Sequence, residues 1–252
     1  MADETGVRPR RRGIYLLPNL FTTGALFAGF YGIVASMNAR YEAAAIAILV
    51  AMVLDGMDGR IARMTNTQSD FGAEYDSLSD MASFGLAPAL IMYEWQLGAM
   101  GKIGWLAAFI YAAATALRLA RFNTQIGDGD RRFFQGLPSP AAAAVIATLV
   151  WFGESFAVQK SVGMLVAATF VTVTTALLMV SNVRYYSFKD LDLRGRVPFV
   201  AVLLIVVVFV LISIEPATVL LVTFLGYMLS GPALTAIQIR QRLADRKRAD
   251  AA

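Results

Sequence analysis

The sequence contains neither cysteine nor histidine in its 252 residues. Without thiols the chain can form no disulfide and no thiolate nucleophile. Without imidazoles it can form neither a Ser-His-Asp triad nor a histidine-ligated zinc site. Any general base must therefore be a carboxylate, a lysine, a tyrosine or water, and any bound metal ion must have oxygen ligands.

Charge is also scarce, because 16% of the residues are charged and 58% are hydrophobic. Long apolar runs recur from Tyr15 to Gln238. A membrane-crossing helix needs about 20 mostly apolar residues, and about eight such segments are present. They are centred near Leu26, Ile48, Ala87, Ala112, Val145, Val171, Val206 and Leu225. The pattern predicts an all-α, polytopic membrane protein with one transmembrane catalytic domain, 15–238, between a basic arm, 1–14, and a basic tail, 239–252.

The positive charges predict how the protein lies in the membrane. If the amino terminus is cytoplasmic, nineteen of the 22 lysines and arginines fall on the cytoplasmic side, all but Arg40, Lys102 and Lys160. This bias predicts cytoplasmic termini and an inner (cell) membrane protein. The basic residues are spread over every inner loop, so we expect membrane lipids and no nucleic acid as partners. The first apolar stretch is long and contains Pro18 and Asn19, which argues against a cleavable signal peptide.

Four aspartates interrupt the apolar pattern. Asp55 and Asp58 are three residues apart and Asp76 and Asp80 are four apart, so each pair shares one face of a helix. The polar stretch at 64–73 is short enough to hold the two helices as antiparallel neighbours. Ionisable groups at membrane depth are costly, so four converging carboxylates predict a bound cation.

Carboxylate oxygens suit Mg²⁺ or Mn²⁺, and four of these groups can bridge two ions. Two-metal sites favour phosphoryl-type chemistry, in which a carboxylate can take a proton from the attacking hydroxyl. Gly59 and Gly72 would let a bulky ligand approach the backbone, and Arg63 is placed to meet a phosphate. Two alternatives stay open: Asp76 could cap a helix, and intramembrane carboxylates also serve cation or proton transporters.

The spacing Asp-x2-Asp-Gly-x2-Ala-Arg-x8-Gly-x3-Asp-x3-Asp runs from Asp55 to Asp80. At every position it resembles the signature of the CDP-alcohol phosphotransferases. The resemblance implies a membrane enzyme that transfers a substituted phosphate from a CDP-linked donor to a hydroxyl and releases CMP. It also implies a two-metal centre on the four aspartates, with Asp80 as the general base. We place the CDP moiety against Asn19, Thr22, Asp58, Gly59, Ala62, Arg63, Thr67 and Gly72.

Four further segments resemble the membrane-type phosphatidylserine synthases of that family. They are Leu17–Thr23, Ala82–Pro88, Ala116–Asn123 and Phe134–Pro140. The resemblance covers roughly residues 15–185, and the last two spans add no motif. It implies CDP-diacylglycerol and L-serine as substrates and a homodimer as the assembly.

The acceptor site is predicted from fewer residues. Arg118 and Arg121 are three residues apart, so they can present a cationic face to the serine carboxylate, with Asn123 beyond them. Ser139 could add a polar contact. The same arginines would also suit an inner-boundary or lipid-headgroup role, or the phosphate of glycerol 3-phosphate or inositol phosphate. These acceptors, with choline, are the close alternatives to serine.

Overall fold

The computed structural model describes residues 16–65, 67, 69–124, 133–158, 161–186 and 199–249. The predicted arm at 1–14, most of the cytoplasmic loop arginines between 125 and 198, and Lys160 lie outside these residues. The helices are α1 (Leu16–Met37), α2 (Tyr41–Thr65), α3 (Asp70–Asp80), α4 (Ala87–Trp95), α5 (Lys102–Thr124), α6 (Ser139–Ser155), α7 (Val162–Val180), α8 (Phe199–Ile214) and α9 (Pro216–Ala249).

Four shorter elements accompany these helices in the described residues. A π-helix, Met81–Leu86, joins α3 to α4, and a 3-10 helix, Leu97–Met100, precedes α5. Two strands, β1 (Phe133–Gln135) and β2 (Arg184–Tyr186), pair antiparallel. The prediction of an all-α protein is confirmed. The short strand pair was not predicted from the sequence.

Four helices of the described part are long and apolar enough to cross a membrane. They comprise Pro18–Met37 of α1, Lys102–Thr124, Val162–Val180 and Pro216–Ile237 of α9. All eight predicted span centres lie within helices. However, α6 and the described part of α8 have 17 and 16 residues, below the roughly 20 that a perpendicular span needs. The count of eight spans therefore stays a prediction.

Helices α1 and α2 pack tightly because small residues line their contact. The buried residues there include Ala25, Ala28 and Ala35 of α1 and Ala44, Ala45, Ile48 and Ala51 of α2. Small side chains let two helix backbones approach closely. At Gly32, a β-carbon would lie 3.3 Å from the carbonyl oxygen of Ala44. This packing brings Thr22, near the start of α1, beside Asp58, near the end of α2.

The segment formed by α3 and the π-helix is attached to the other side of α1. Ser79 Oγ donates to the carbonyl oxygen of Thr22 at 3.1 Å, and Ser83 Oγ donates to that of Ala25 at 3.1 Å. Gly29 permits this contact, because a β-carbon there would lie 2.7 Å from the Cα of Ser83. Helix α1 thus holds α2 and α3 in fixed positions relative to each other.

The π-helix precedes Pro88, which explains where it forms. Proline has no N–H, and its ring collides with the carbonyl of the residue four positions earlier in an α-helix, here Phe84. In the π-helix the N–H of Ala87 reaches the carbonyl of Ala82, five residues back. The wider turn relieves the crowding while the chain stays helical from α3 into α4.

The chain turns at Gly136–Pro138, just before α6. Gly136 has φ +77°, and a β-carbon there would collide with the carbonyl oxygen of Met179. Only glycine fits such a left-handed position in close contact with backbone. Helix α6 then begins at Ser139, with Pro138 as its cap residue and Pro140 in its first turn.

Candidate active site

The four aspartates meet between α2 and α3. Asp55, Asp76 and Asp80 each offer a carboxylate oxygen, and these oxygens lie within 4.8 Å of one another. The carboxyl groups of Asp55 and Asp80 are within hydrogen-bonding reach of each other, as are those of Asp58 and Asp76. The structure therefore brings together the four residues that the spacing singled out.

The start of α3 is set by Ser69 and not by an aspartate. Ser69 is the cap residue of α3, and its hydroxyl accepts from the N–H of Gly72 at 3.1 Å. Asp76 lies well inside α3, so the alternative that it caps a helix is wrong. Asn19 also lies inside a helix, in the first turns of α1.

The aspartates differ in the partners that the protein gives them. Thr22 Oγ1 donates to Asp58 Oδ2 at 2.7 Å, and these two side chains are only 4% and 6% exposed. In contrast, Asp76 Oδ1 and Asp80 Oδ1 are buried and have no hydrogen-bond partner among the described residues. A buried polar atom without a partner costs roughly 1–3 kcal/mol, and more when it is charged.

This arrangement fits a divalent metal ion. Mg²⁺ and Mn²⁺ take oxygen ligands, and clustered carboxylates are the protein groups that bind them most strongly. The partnerless oxygens of Asp76 and Asp80 belong to the same group of three carboxylates as Asp55. A cation there would satisfy these atoms and remove the repulsion between like charges.

A cavity of about 290 Å³ opens beside the aspartates, near the lower limit of roughly 300–1,000 Å³ for small-molecule sites. All eight residues predicted to contact CDP line it. The full lining is Pro18, Asn19, Thr22, Asp58, Gly59, Ala62, Arg63, Thr67, Ser69, Gly72, Ala73 and Asp76. The sequence reasoning missed Pro18, Ser69 and Ala73, although a serine three residues before Gly72 is a recognisable helix-cap signal.

Two of the predicted acceptor residues meet beside Asp80. Arg118 Nη1 donates to Ser139 Oγ at 2.9 Å, and Ser139 is fully buried. The Nε atom of Arg118 is buried without a hydrogen-bond partner among the described residues. Arg118 and Asp80 also lie close enough to interact electrostatically. The structure thus places one incompletely bonded guanidinium next to the carboxylate cluster.

The other two acceptor candidates have different partners. Arg121 donates to the carbonyl oxygens of Val180, at 3.0 Å, and Ser181, at 3.5 Å. These carbonyls are at the carboxyl end of α7, where the helix leaves acceptors unpaired and favours positive charge. Asn123 is exposed and donates to Ser77 Oγ at 3.0 Å. Arg118 and Arg121 therefore bond to different partners and do not form the single cationic face that the sequence predicted.

Helix α9 also reaches the site, which the sequence did not indicate. Tyr227 interacts electrostatically with Arg118, and its hydroxyl donates to the carbonyl oxygen of Tyr186 at 3.2 Å. The ring of Tyr227 packs against that of Tyr185, with centroids 5.5 Å apart. No motif in α9 could have revealed this, because the approach depends on how α9 packs against α6 and β2.

The geometry agrees with a comparison against known families. Residues 15–175 match the CDP-alcohol phosphatidyltransferase family. The chain belongs to this family, whose members generally depend on divalent metal ions. The match ends before β2, α8 and α9.

Individual relatives carry more specific names. A CDP-diacylglycerol–serine O-phosphatidyltransferase of Helicobacter pylori is 36% identical over 197 residues, which are 78% of this chain and 83% of that protein. One of Mycobacterium leprae is 30% identical over 232 residues, 88% of this chain and 76% of that protein. An archaetidylserine synthase of Methanothermobacter thermautotrophicus is 34% identical over 171 residues, 67% of this chain and 69% of that protein.

Proposed function

We propose that this protein is a phosphatidylserine synthase, which transfers the phosphatidyl group of CDP-diacylglycerol to the hydroxyl of L-serine and releases CMP. The observation that carries the proposal is the pair of buried, partnerless carboxylate oxygens on Asp76 and Asp80. They belong to a cluster beside a cavity that is lined by all eight residues predicted to contact CDP. The relatives named for the same reaction support serine as the acceptor.

Asp55, Asp58, Asp76 and Asp80 would hold the metal, one or two ions of Mg²⁺ or Mn²⁺. When bound, such ions neutralise phosphate charge and stabilise the CMP leaving group. Thr22 supports this role by donating to one oxygen of Asp58. The hydrogen bond also fixes the orientation of the Asp58 carboxylate.

Asp80 is the general base of the proposed reaction. It takes the proton of the serine hydroxyl as the hydroxyl oxygen forms a bond to the β-phosphorus of CDP-diacylglycerol, and the bond from that phosphorus to the CMP oxygen breaks. Asp80 is suited to this task because it lies close to the other carboxylates and also interacts with Arg118. A base must be within hydrogen-bond reach of the proton that it removes.

Arg118 binds the carboxylate of serine in this proposal. A guanidinium is planar and can donate two parallel hydrogen bonds to a carboxylate. Ser139 occupies Nη1 and thereby sets the plane of the group, while Nε has no partner. A serine held here would present its hydroxyl toward Asp80.

The cavity walls hold the donor. Arg63 is exposed on the wall and can pair with a phosphate, and Gly59 lets the nucleotide approach the α2 backbone because no atom lies within 4 Å of a β-carbon placed there. Asn19 and Thr67 also line the cavity and provide polar groups.

The membrane arrangement belongs to the same proposal. Eight spans with both termini in the cytoplasm would open the aspartate cluster to the cytoplasm, so that lipid enters sideways from the inner membrane and serine from water. The charge bias of the loops supports this orientation. Large exposed apolar side chains, such as Phe109 of α5 and Phe209 of α8, suit contact with lipid. We also propose a homodimer, as the resemblance implies.

The test is CMP release by the purified protein with CDP-diacylglycerol and Mn²⁺, offering serine, glycerol 3-phosphate, inositol phosphate or choline one at a time. Serine-dependent CMP with phosphatidylserine as the lipid product is the expected result. CMP with another acceptor would keep the metal centre and overturn the role given to Arg118. Metal flux into proteoliposomes without CMP release would favour the transporter alternative.

A further inference from the structure

Tyr111 makes a buried contact with the segment that follows Asp80. Its side chain lies in α5 and is fully buried, with an exposed fraction of 0%. The hydroxyl donates to the main-chain carbonyl oxygen of Phe84 at 3.1 Å. Phe84 is in the π-helix that begins directly after Asp80, and its side chain is also fully buried.

The carbonyl of Phe84 cannot accept the usual α-helical bond because the residue four positions later is Pro88. In an α-helix, each carbonyl accepts from the N–H four residues later. Position 88 is proline, which has no N–H to give. Buried main-chain carbonyls are nearly always paired, since an unpaired one is costly. Tyr111 therefore provides from α5 a donor to a carbonyl that cannot accept a bond from position 88.

The π-helix is held on its other side as well. Ser83 Oγ donates to the carbonyl oxygen of Ala25 in α1, and Gly85 lies against α5, where a β-carbon would be 3.2 Å from Thr115 Cγ2. The turn is thus fixed between α1 and α5. Asp80 is the residue that enters this turn, so a rotation of the turn would move its carboxylate relative to Asp55.

We propose that Tyr111 is a positioning residue for Asp80. Its hydrogen bond to Phe84 holds the π-helix in the rotation at which Asp80 faces Asp55 and Asp76. Tyr111 is close enough to Arg118 to interact with it electrostatically, but its hydroxyl bonds to Phe84 and not to an aspartate, so we expect it to act on Asp80 through Phe84. The inference rests on the proposed role of Asp80 as a metal ligand and base, and it is independent of which alcohol is the acceptor.

Tyr185 provides a matched control. It too is fully buried, and its hydroxyl donates to a main-chain carbonyl oxygen, that of Met228, at 2.9 Å. Tyr111→Phe and Tyr185→Phe each remove one buried hydroxyl and one hydrogen bond to a carbonyl. They differ in that only Tyr111 contacts the turn after Asp80.

The experiment compares the two variants with the wild type in three measurements. Mn²⁺ affinity is measured without substrate, from the electron paramagnetic resonance of free Mn²⁺. The thermal midpoint is recorded in the same detergent, and kcat and KM for serine are taken from CMP release. We expect both variants to have a lower thermal midpoint than the wild type. Only Tyr111→Phe should lose Mn²⁺ affinity, by about tenfold, as when a group that orients a metal ligand is removed, together with kcat but not KM.

Equal Mn²⁺ affinity in the two variants would overturn the inference, because the hydroxyl of Tyr111 would then be a structural bond like that of Tyr185. If Tyr111→Phe does not fold, Ser83→Ala takes its place. It loosens the same turn from the α1 side and should lower Mn²⁺ affinity to a smaller extent, and an unchanged affinity would again contradict the proposal. Because Mn²⁺ binding is measured without substrate, the result stands even if serine proves not to be the acceptor.

Discussion

Acidic residues gather at both ends of α2, but their surroundings differ greatly. At the glutamate end, Glu42 accepts from Trp151 Nε1 at 3.2 Å and Glu154 accepts from Trp95 Nε1 at 2.8 Å. At the aspartate end, formed by the four aspartates of the signature, two carboxylate oxygens are buried without a partner. Glu42 and Asp58 are separated by 16 positions of one helix, about 24 Å.

The difference indicates that buried carboxylate oxygens without a hydrogen-bond partner, and not the size of a cavity, mark the candidate active site. The cavity at the glutamate end is the larger, about 560 Å³ against about 290 Å³. Its walls include Glu94 and Trp95 but bring no group of carboxylates together among the described residues. The smaller cavity adjoins acids that the protein alone leaves unsatisfied. Such groups are retained because a ligand completes them.

The largest effect should follow removal of metal. Chelation with EDTA should abolish CMP release, and Mg²⁺ or Mn²⁺ should restore it. Metal at a hundred times its Kd should also stabilise the folded protein by about 2.7 kcal/mol. Asp55→Asn should lose this stabilisation, whereas Glu42→Gln at the glutamate end should keep it. Thermal melting with and without Mn²⁺ provides the measurement, and equal stabilisation of both variants would contradict the assignment.

Asp80→Asn tests the same contrast in turnover. Loss of a general base typically costs 100- to 10,000-fold, so we expect kcat to fall by about 1,000-fold while much of the nucleotide binding remains. The control is Glu154→Gln, which makes the same change of charge at the glutamate end. It should leave kcat unchanged and cost about 1 kcal/mol of stability through its bond to Trp95. Near-normal turnover of Asp80→Asn would contradict the assignment of Asp80 as the general base.

Variants of the two arginines of α5 distinguish binding of the acceptor from bonding to the end of α7. Arg118→Lys should raise KM for serine by about tenfold or more, because lysine cannot reproduce a two-bond contact with a carboxylate. Arg121→Lys should instead lower the thermal midpoint, since Arg121 bonds the end of α7. The two roles are distinguished by measuring KM for both substrates and by recording thermal melting curves of both variants. A larger rise in KM for Arg121→Lys would reverse the assignment.

The smallest effect concerns the cavity wall of α2. A β-carbon at either Gly56 or Gly59 has no atom within 4 Å, but only Gly59 lines the cavity. Gly59→Ala should therefore raise KM for CDP-diacylglycerol by about fivefold, at a cost near 1 kcal/mol. Gly56→Ala should leave KM unchanged and stabilise the helix by about 0.5–1 kcal/mol. Equal KM values would show that the nucleotide does not approach Gly59.

The sequence predicted the aspartate end well because its geometry is local. Spacings of three and four residues fix which face of a helix a side chain occupies, and a short polar turn places the two helices side by side. The eight residues proposed for CDP lie on α1, α2, the turn before α3 and the first turn of α3, close in sequence to the aspartates or packed against them. Such short-range relations can be read directly from the residue order.

Features that depend on distant packing could not be predicted. The bond from Arg121 to Val180 joins residues 59 positions apart and requires knowledge of where α7 ends. The bond from Tyr111 to Phe84 depends on the π-helix. Residue propensities do not predict a π-helix there, and its cause is clear only once the structure shows Pro88 inside a continuous helix. Tyr227 reaches Arg118 only through the packing of α9, where the sequence contains no recognisable motif.

The most direct test is the location of bound Mn²⁺, determined by anomalous X-ray scattering from crystals grown with the ion. The account predicts a peak among the carboxylates of Asp55, Asp76 and Asp80, where the protein leaves oxygens unpaired. A peak in the larger cavity beside Glu94, with none among the aspartates, would contradict it.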